Sequence, residues 1–100
     1  MIKVSVFKQE DCYQMIQIKG HALYDDYGKD IVCSAVSSIV TTSINGILSL
    51  DEEALCYEIL DDGLLIQKIQ TDRMTQTLLT NMINLLTELA QSYPKNIEIK

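Results

Sequence analysis

The sequence contains a single histidine, His21, and three cysteines, Cys12, Cys33 and Cys56. Of the cysteines only Cys33 stands at an expected helix start, because Asp30 is a favoured N-cap residue and an apolar pattern with helical spacing follows it. In a first helical turn the unpaired backbone N–H groups and the positive end of the dipole favour an anion, so the thiolate form of Cys33 is expected to be stabilised. His21 lies twelve residues earlier, at the far end of a loop long enough to fold an imidazole back over that helix start. A thiolate and an imidazolium so placed carry out acyl transfer: sulfur attacks a peptide carbonyl, and the ring protonates the departing amine. The same helix start is expected to offer N–H donors to the oxyanion.

Other residues bear on this pair. Asp30 is read as the helix cap, with orientation of the imidazole as its alternative role. Ser37 follows Cys33 by one helical turn, so Asp30, Cys33 and Ser37 share a face and the Ser37 hydroxyl is a candidate for the substrate site. Gly20 precedes His21 and ends a strand. Tyr24 and Tyr27 lie in the loop, which is expected to be mobile without substrate and to close over a bound peptide with one of these tyrosines against it. Each residue also has a purely structural reading: Cys33 as a small core hydrophobe, His21 as a structural histidine, Ser37 as a helix residue. Cys12, in a polar connection, and Cys56, in a strand, are given only the structural reading. Met74 and Met82 are packing residues.

The elements that must position the pair follow from periodicity. Ile2, Val4 and Val6 alternate with polar residues, and Ile16 and Ile18 repeat that pattern before Gly20, which predicts two antiparallel strands joined by a polar connection over Lys8 to Asp11. Val32, Val36, Ile39, Val40, Ile44 and Ile47 recur at three- and four-residue steps, predicting a helix from Ile31 to Leu50. Its many β-branched residues leave a buried strand and a turn at Asn45-Gly46 as the alternative. Asp61-Asp62-Gly63 between Ala54 to Leu60 and Leu64 to Gln70 predicts a hairpin. A second helix is expected from Asp72 to the residues before Pro94, and Ile97 and Ile99 suggest a last short strand. The expected fold is α+β, a mainly antiparallel sheet in the order β-β-α-β-β-α-β with two helices on one face. Residues 1–100 form one domain, since 100 residues with 47% apolar content bury one modest core.

Composition narrows the function further. Eight scattered Lys and Arg and a formal charge of −6 argue against a nucleic-acid surface. Three widely spaced cysteines and one histidine give no metal-ligand pattern, so no metal and no disulfide scaffold is expected. The N-terminus alternates instead of forming a leader, and Ile31 to Leu50 is broken by Ser, Thr, Asn45 and Gly46, so a soluble chain without a membrane partner is expected.

Gly20-His21-Ala22, then Asp30-x-x-Cys33 opening a helix, then Ser37 resembles the Prp family of bacterial ribosomal-processing cysteine proteases across essentially the whole chain. The resemblance implies Cys33 as nucleophile and His21 as general base, with Gly20, Asp30 and Ser37 as site residues. It further implies removal of the N-terminal extension of a large-subunit ribosomal protein, the twenty-seventh of its series, with cleavage after an aromatic residue. A cytoplasmic homodimer needing no cofactor is implied too. Ser34 and Leu23 depart from the family pattern at places that touch substrate fit more than chemistry. An acidic enzyme would meet a basic ribosomal protein faster. The rival readings are a non-catalytic ribosome-associated interaction module, with Cys33 merely buried, and a redox protein, which lacks a resolving cysteine nearby.

Overall fold

Alternation in the first twenty residues gives a hairpin: β1, Ile2–Gln9, pairs antiparallel with β2, Cys12–Lys19. The computed structural model describes residues 1–20 and 30–100. Directly opposed residues share a face, so the pairs Val4 with Ile18 and Val6 with Ile16 stack apolar side chains on one side of the sheet. The connection is only Glu10-Asp11, both at positive φ (53° and 65°), shorter than the Lys8 to Asp11 stretch expected from sequence. Two left-handed residues match the twist of a tight hairpin, and Glu10 is an unusual residue there. Cys12 accordingly opens β2 instead of lying in the connection. A bulge at Gln14, where Phe7 faces Met15 but Lys8 faces Tyr13, turns Tyr13 into the core.

Helix α1 spans Ile31–Leu50, the range the apolar spacing predicts, and buries Val32, Val36, Val40, Ile44 and Ile47 along one stripe. By length and composition α1 is apolar enough to cross a membrane, its Ser and Thr residues notwithstanding. In this fold that stripe is part of the core, and burial offsets the low helix propensity of its β-branched residues.

The next hairpin joins β3, Cys56–Leu60, to β4, Gly63–Gln67, through Asp61-Asp62. Gly63 is the first residue of β4, where a Cβ would overlap the Ile18 carbonyl oxygen of β2. Close backbone approach requires this glycine, a reason different from the turn conformation expected of an Asp-Gly pair. Helix α2, Arg73–Ser92, buries Leu79, Met82, Ile83 and Leu86, and β5, Ile97–Ile99, ends the chain.

The sheet order is β3-β4-β2-β1-β5. All pairings are antiparallel except β1 with β5, which is parallel and is reached by the crossover through α2. Ile2, Val4, Ile16, Ile18, Ile66 and Ile97 point to the face covered by the helices, while Lys3 and Lys19 face the open side. Gln76 ties α2 to the sheet: its Oε1 accepts from Tyr13 N (2.7 Å), and its Nε2 donates to the carbonyls of Tyr13 (3.2 Å) and Gln70 (2.9 Å). The β2–β4 ladder stops at Ile16, so this amide takes the place of a strand partner for Tyr13.

Candidate active site

Asp30 has extended backbone angles (φ −74°, ψ 103°) and caps α1. Its Oδ1 accepts from Val32 N at 2.9 Å and Cys33 N at 3.0 Å, while its own carbonyl accepts from Ser34 N at 3.1 Å. Three first-turn amides are thereby engaged. Of the oxyanion donors expected from this helix start, the Val32 and Cys33 amides are committed to Asp30, because a cap satisfies the same orphan N–H groups an oxyanion would use.

The cap has a second contact. The Cys33 thiol lies 3.4 Å from Asp30 Oδ2, close enough for the S–H to donate to the carboxylate. Asp30 is buried and Cys33 half-buried. The helix terminus therefore presents two opposed influences to the sulfur: the dipole favours a thiolate, and the adjacent carboxylate favours the thiol. A cation brought to this sulfur would shift the balance toward the reactive form.

Cys33 opens onto a cavity of about 490 Å³. Ile2, Ile18, Val36, Val40 and Leu64 supply apolar wall, and Ser37 and Thr41 continue the line of α1 beyond the sulfur. Ile59, Asp61 and Asp62 close it from the β3–β4 hairpin. Gly20 also lines it, beside the hairpin, with φ +96° and its N–H donating to the Asp62 carbonyl at 2.8 Å. A Cβ on Gly20 would overlap the Met1 carbonyl oxygen, so both the dihedral and the packing demand glycine.

Four of the site residues singled out in the sequence are thus brought together: Gly20, Cys33 and Ser37 border one cavity, and Asp30 touches the sulfur. His21, Tyr24 and Tyr27, and the expected closure of their loop, lie outside the described residues. Cys12 and Cys56 open strands, and Cys56 is exposed. Among the described residues no three His, Cys, Asp or Glu side chains gather as a metal site requires. Asp61, Asp62 and Ile59 were not foreseen as cavity residues. Sheet order delivers them by placing β4 beside β2, and the one local signal was Gly63, whose missing side chain permits that approach.

The family model for cysteine protease Prp matches residues 1–98. A ribosomal processing cysteine protease Prp from Staphylococcus aureus is 31% identical over 83 residues, which is 80% of this chain and 78% of that protein. The crystal structure of an essential ribosomal processing protease Prp from S. aureus, in complex with a covalently linked product peptide, has a TM-score of 0.92 at 27% identity. That alignment covers 100% of this chain and 98% of the other. The S. aureus protease in complex with a substrate peptide has a TM-score of 0.87 at 26% identity, with the same coverage.

Proposed function

The chain belongs to the cysteine protease Prp family, and on that premise we propose that it trims the N-terminal extension from a large-subunit ribosomal protein, the twenty-seventh of its series, with a Cys33–His21 dyad. The observation that carries this reading is Cys33 in the first turn of α1, at the wall of a cavity that Gly20 also borders. His21 follows Gly20 directly in the sequence, and Gly20 is a residue of that cavity wall. This supports His21 as the cation that the carboxylate-flanked sulfur needs. The apolar wall suits the side chain of an aromatic residue before the scissile bond.

In this reading the thiolate of Cys33 adds to the scissile carbonyl carbon, and the resulting tetrahedral intermediate expels the amine, which takes a proton from His21. Water, deprotonated by His21, then hydrolyses the thioester, releasing the carboxylate and returning the thiol. No cofactor enters, and the acting species is a cytoplasmic homodimer. The non-catalytic interaction module, considered from sequence, gives way to the family membership.

Incubation with the extended ribosomal protein tests the reading. Cleavage by the wild type and none by Cys33→Ala, with unchanged circular dichroism, is the expected result. A Cys33→Ala protein that still cuts would end it. Alkylation of Cys33 against pH reports on the dyad separately, since His21→Ala should move its midpoint upward while leaving Cys12 and Cys56 unaffected. Sedimentation of the wild type should give twice the chain mass.

A further inference from the structure

Among the described residues one edge of the sheet is open beside the cavity. Among the described residues β3 pairs only with β4, so the main-chain groups on its other side meet no strand. Tyr57 and Ile59 lie opposite Ile66 and Leu64, on the apolar face of the sheet, yet both are exposed. Ile59 remains 77% exposed while forming part of the cavity wall with Cys33. Exposed edges carrying apolar side chains are normally blunted, commonly by lysine. Here the segment that carries the edge is acidic: residues 51–67 hold Asp51, Glu52, Glu53, Glu58, Asp61 and Asp62 and no Lys or Arg, the nearest lysines being Lys68, just beyond it, and Lys19, opposite Gly63. That segment alone carries six negative charges, equal to the chain's formal net charge of −6.

We propose that the outer edge of β3 receives an extended, lysine- and arginine-bearing segment of the protein substrate, which adds a strand to the sheet and leads the adjoining scissile bond into the Cys33 cavity. This rests on the peptidase reading above and names how the substrate is held. Edge pairing supplies sequence-independent main-chain hydrogen bonds, and the flanking side chains supply selection. Ile59 and Asp61 belong both to the edge region and to the cavity, so a peptide seated along β3 from Ile59 toward Cys56 is continuous with the reacting sulfur. Five strand residues offer about 17 Å of track. Charge decides the occupant. A second copy docked edge to edge would oppose two segments that each carry six carboxylates, whereas a cationic peptide neutralises them.

The test uses the full chain. Amide hydrogen exchange is followed in Cys33→Ala with a synthetic peptide spanning the cleavage site of the extended ribosomal protein, and with the same peptide carrying Gln in place of every Lys and Arg. The cationic peptide should slow exchange across residues 56–60, and the Gln peptide should do so only at much higher concentration. In steady-state cleavage, the Glu52→Gln/Glu53→Gln/Glu58→Gln variant of the otherwise wild-type chain should raise KM about tenfold with kcat unchanged, the difference vanishing in 1 M salt, where the Debye length is about 3 Å. Peptide binding or cleavage without protection of residues 56–60 overturns the docking site and leaves the peptidase standing. Protection that rises with enzyme concentration in the absence of peptide assigns the edge to a second copy and overturns it as well. Protection by the cationic peptide with no Cys33-dependent cleavage would keep the docking site and remove the peptidase reading.

Discussion

The contact between Asp30 and Cys33 makes a sharp prediction, because it separates what the side chain does for the helix from what it does to the sulfur. Asparagine caps helices about as well as aspartate, so Asp30→Asn should keep the two hydrogen bonds to Val32 N and Cys33 N and leave the unfolding midpoint nearly unchanged. Alanine loses both and should cost about 1–2 kcal/mol, or roughly 4–8 °C of melting temperature per kcal/mol in a domain of this size. The charge acts separately. Even at the dielectric constant of water, two unit charges 3.4 Å apart repel by about 1.2 kcal/mol, which is about eightfold in an equilibrium. Burial of Asp30 makes this a lower bound, and loss of the S–H···O contact works in the same direction. A less basic thiolate is also a weaker nucleophile, so Asp30→Asn should alkylate at Cys33 about threefold or more faster than wild type at pH values where the thiol predominates, measured with iodoacetamide and mass spectrometry to resolve the three cysteines. Slower alkylation with an unchanged melting temperature would refute this account. It would mean instead that Asp30 acts mainly by holding His21, the alternative role that the sequence left open.

Three further substitutions probe how the cavity is held. Gly63→Ala forces a Cβ into the Ile18 carbonyl oxygen, so β4 must part from β2; a loss of about 3 kcal/mol is expected, and a melting temperature within 5 °C of wild type would contradict the close approach. Gln76→Leu leaves the Tyr13 amide and the Tyr13 and Gln70 carbonyls without their side-chain partner, and urea denaturation should show a loss of about 1–3 kcal/mol. Thr75 is fully buried, and among the described residues nothing pairs with its Oγ1, so the near-isosteric Thr75→Val should raise stability by about 1 kcal/mol; a clear fall in melting temperature would show that the hydroxyl is satisfied.

Local signals carried much of this molecule. Asp30 and the spacing of Val32, Val36, Val40, Ile44 and Ile47 predict α1 to its observed ends, because a cap and an apolar stripe are both written within a few residues of where they act. The element order and the four described candidate residues follow from the same kind of signal. Strand neighbours do not. Nothing within Ile97-Glu98-Ile99 says that it lies parallel to β1, since that pairing depends on where α2 returns the chain. The Glu10-Asp11 turn was hidden for another reason: its residues are uncommon at positive φ, and the polar run from Lys8 masked two further strand residues.

The same division explains why Cys33 was legible as a candidate and its cavity was not. Cys33 is recognisable from a cap three residues away, but a cavity is a property of elements distant in sequence. Ile2, Ile18, Leu64 and Asp62 meet around the sulfur only because β4 lies against β2 and β2 against β1. Gly20 and Gly63 are the two positions where this non-local arrangement leaves a local mark, each lacking a side chain that would strike the backbone of a neighbouring strand or of the N-terminus. A glycine that tight packing requires is therefore the trace of tertiary structure most readable in this sequence. Both stand on the cavity wall, so the features that let the sheet close also shape the space onto which Cys33 opens.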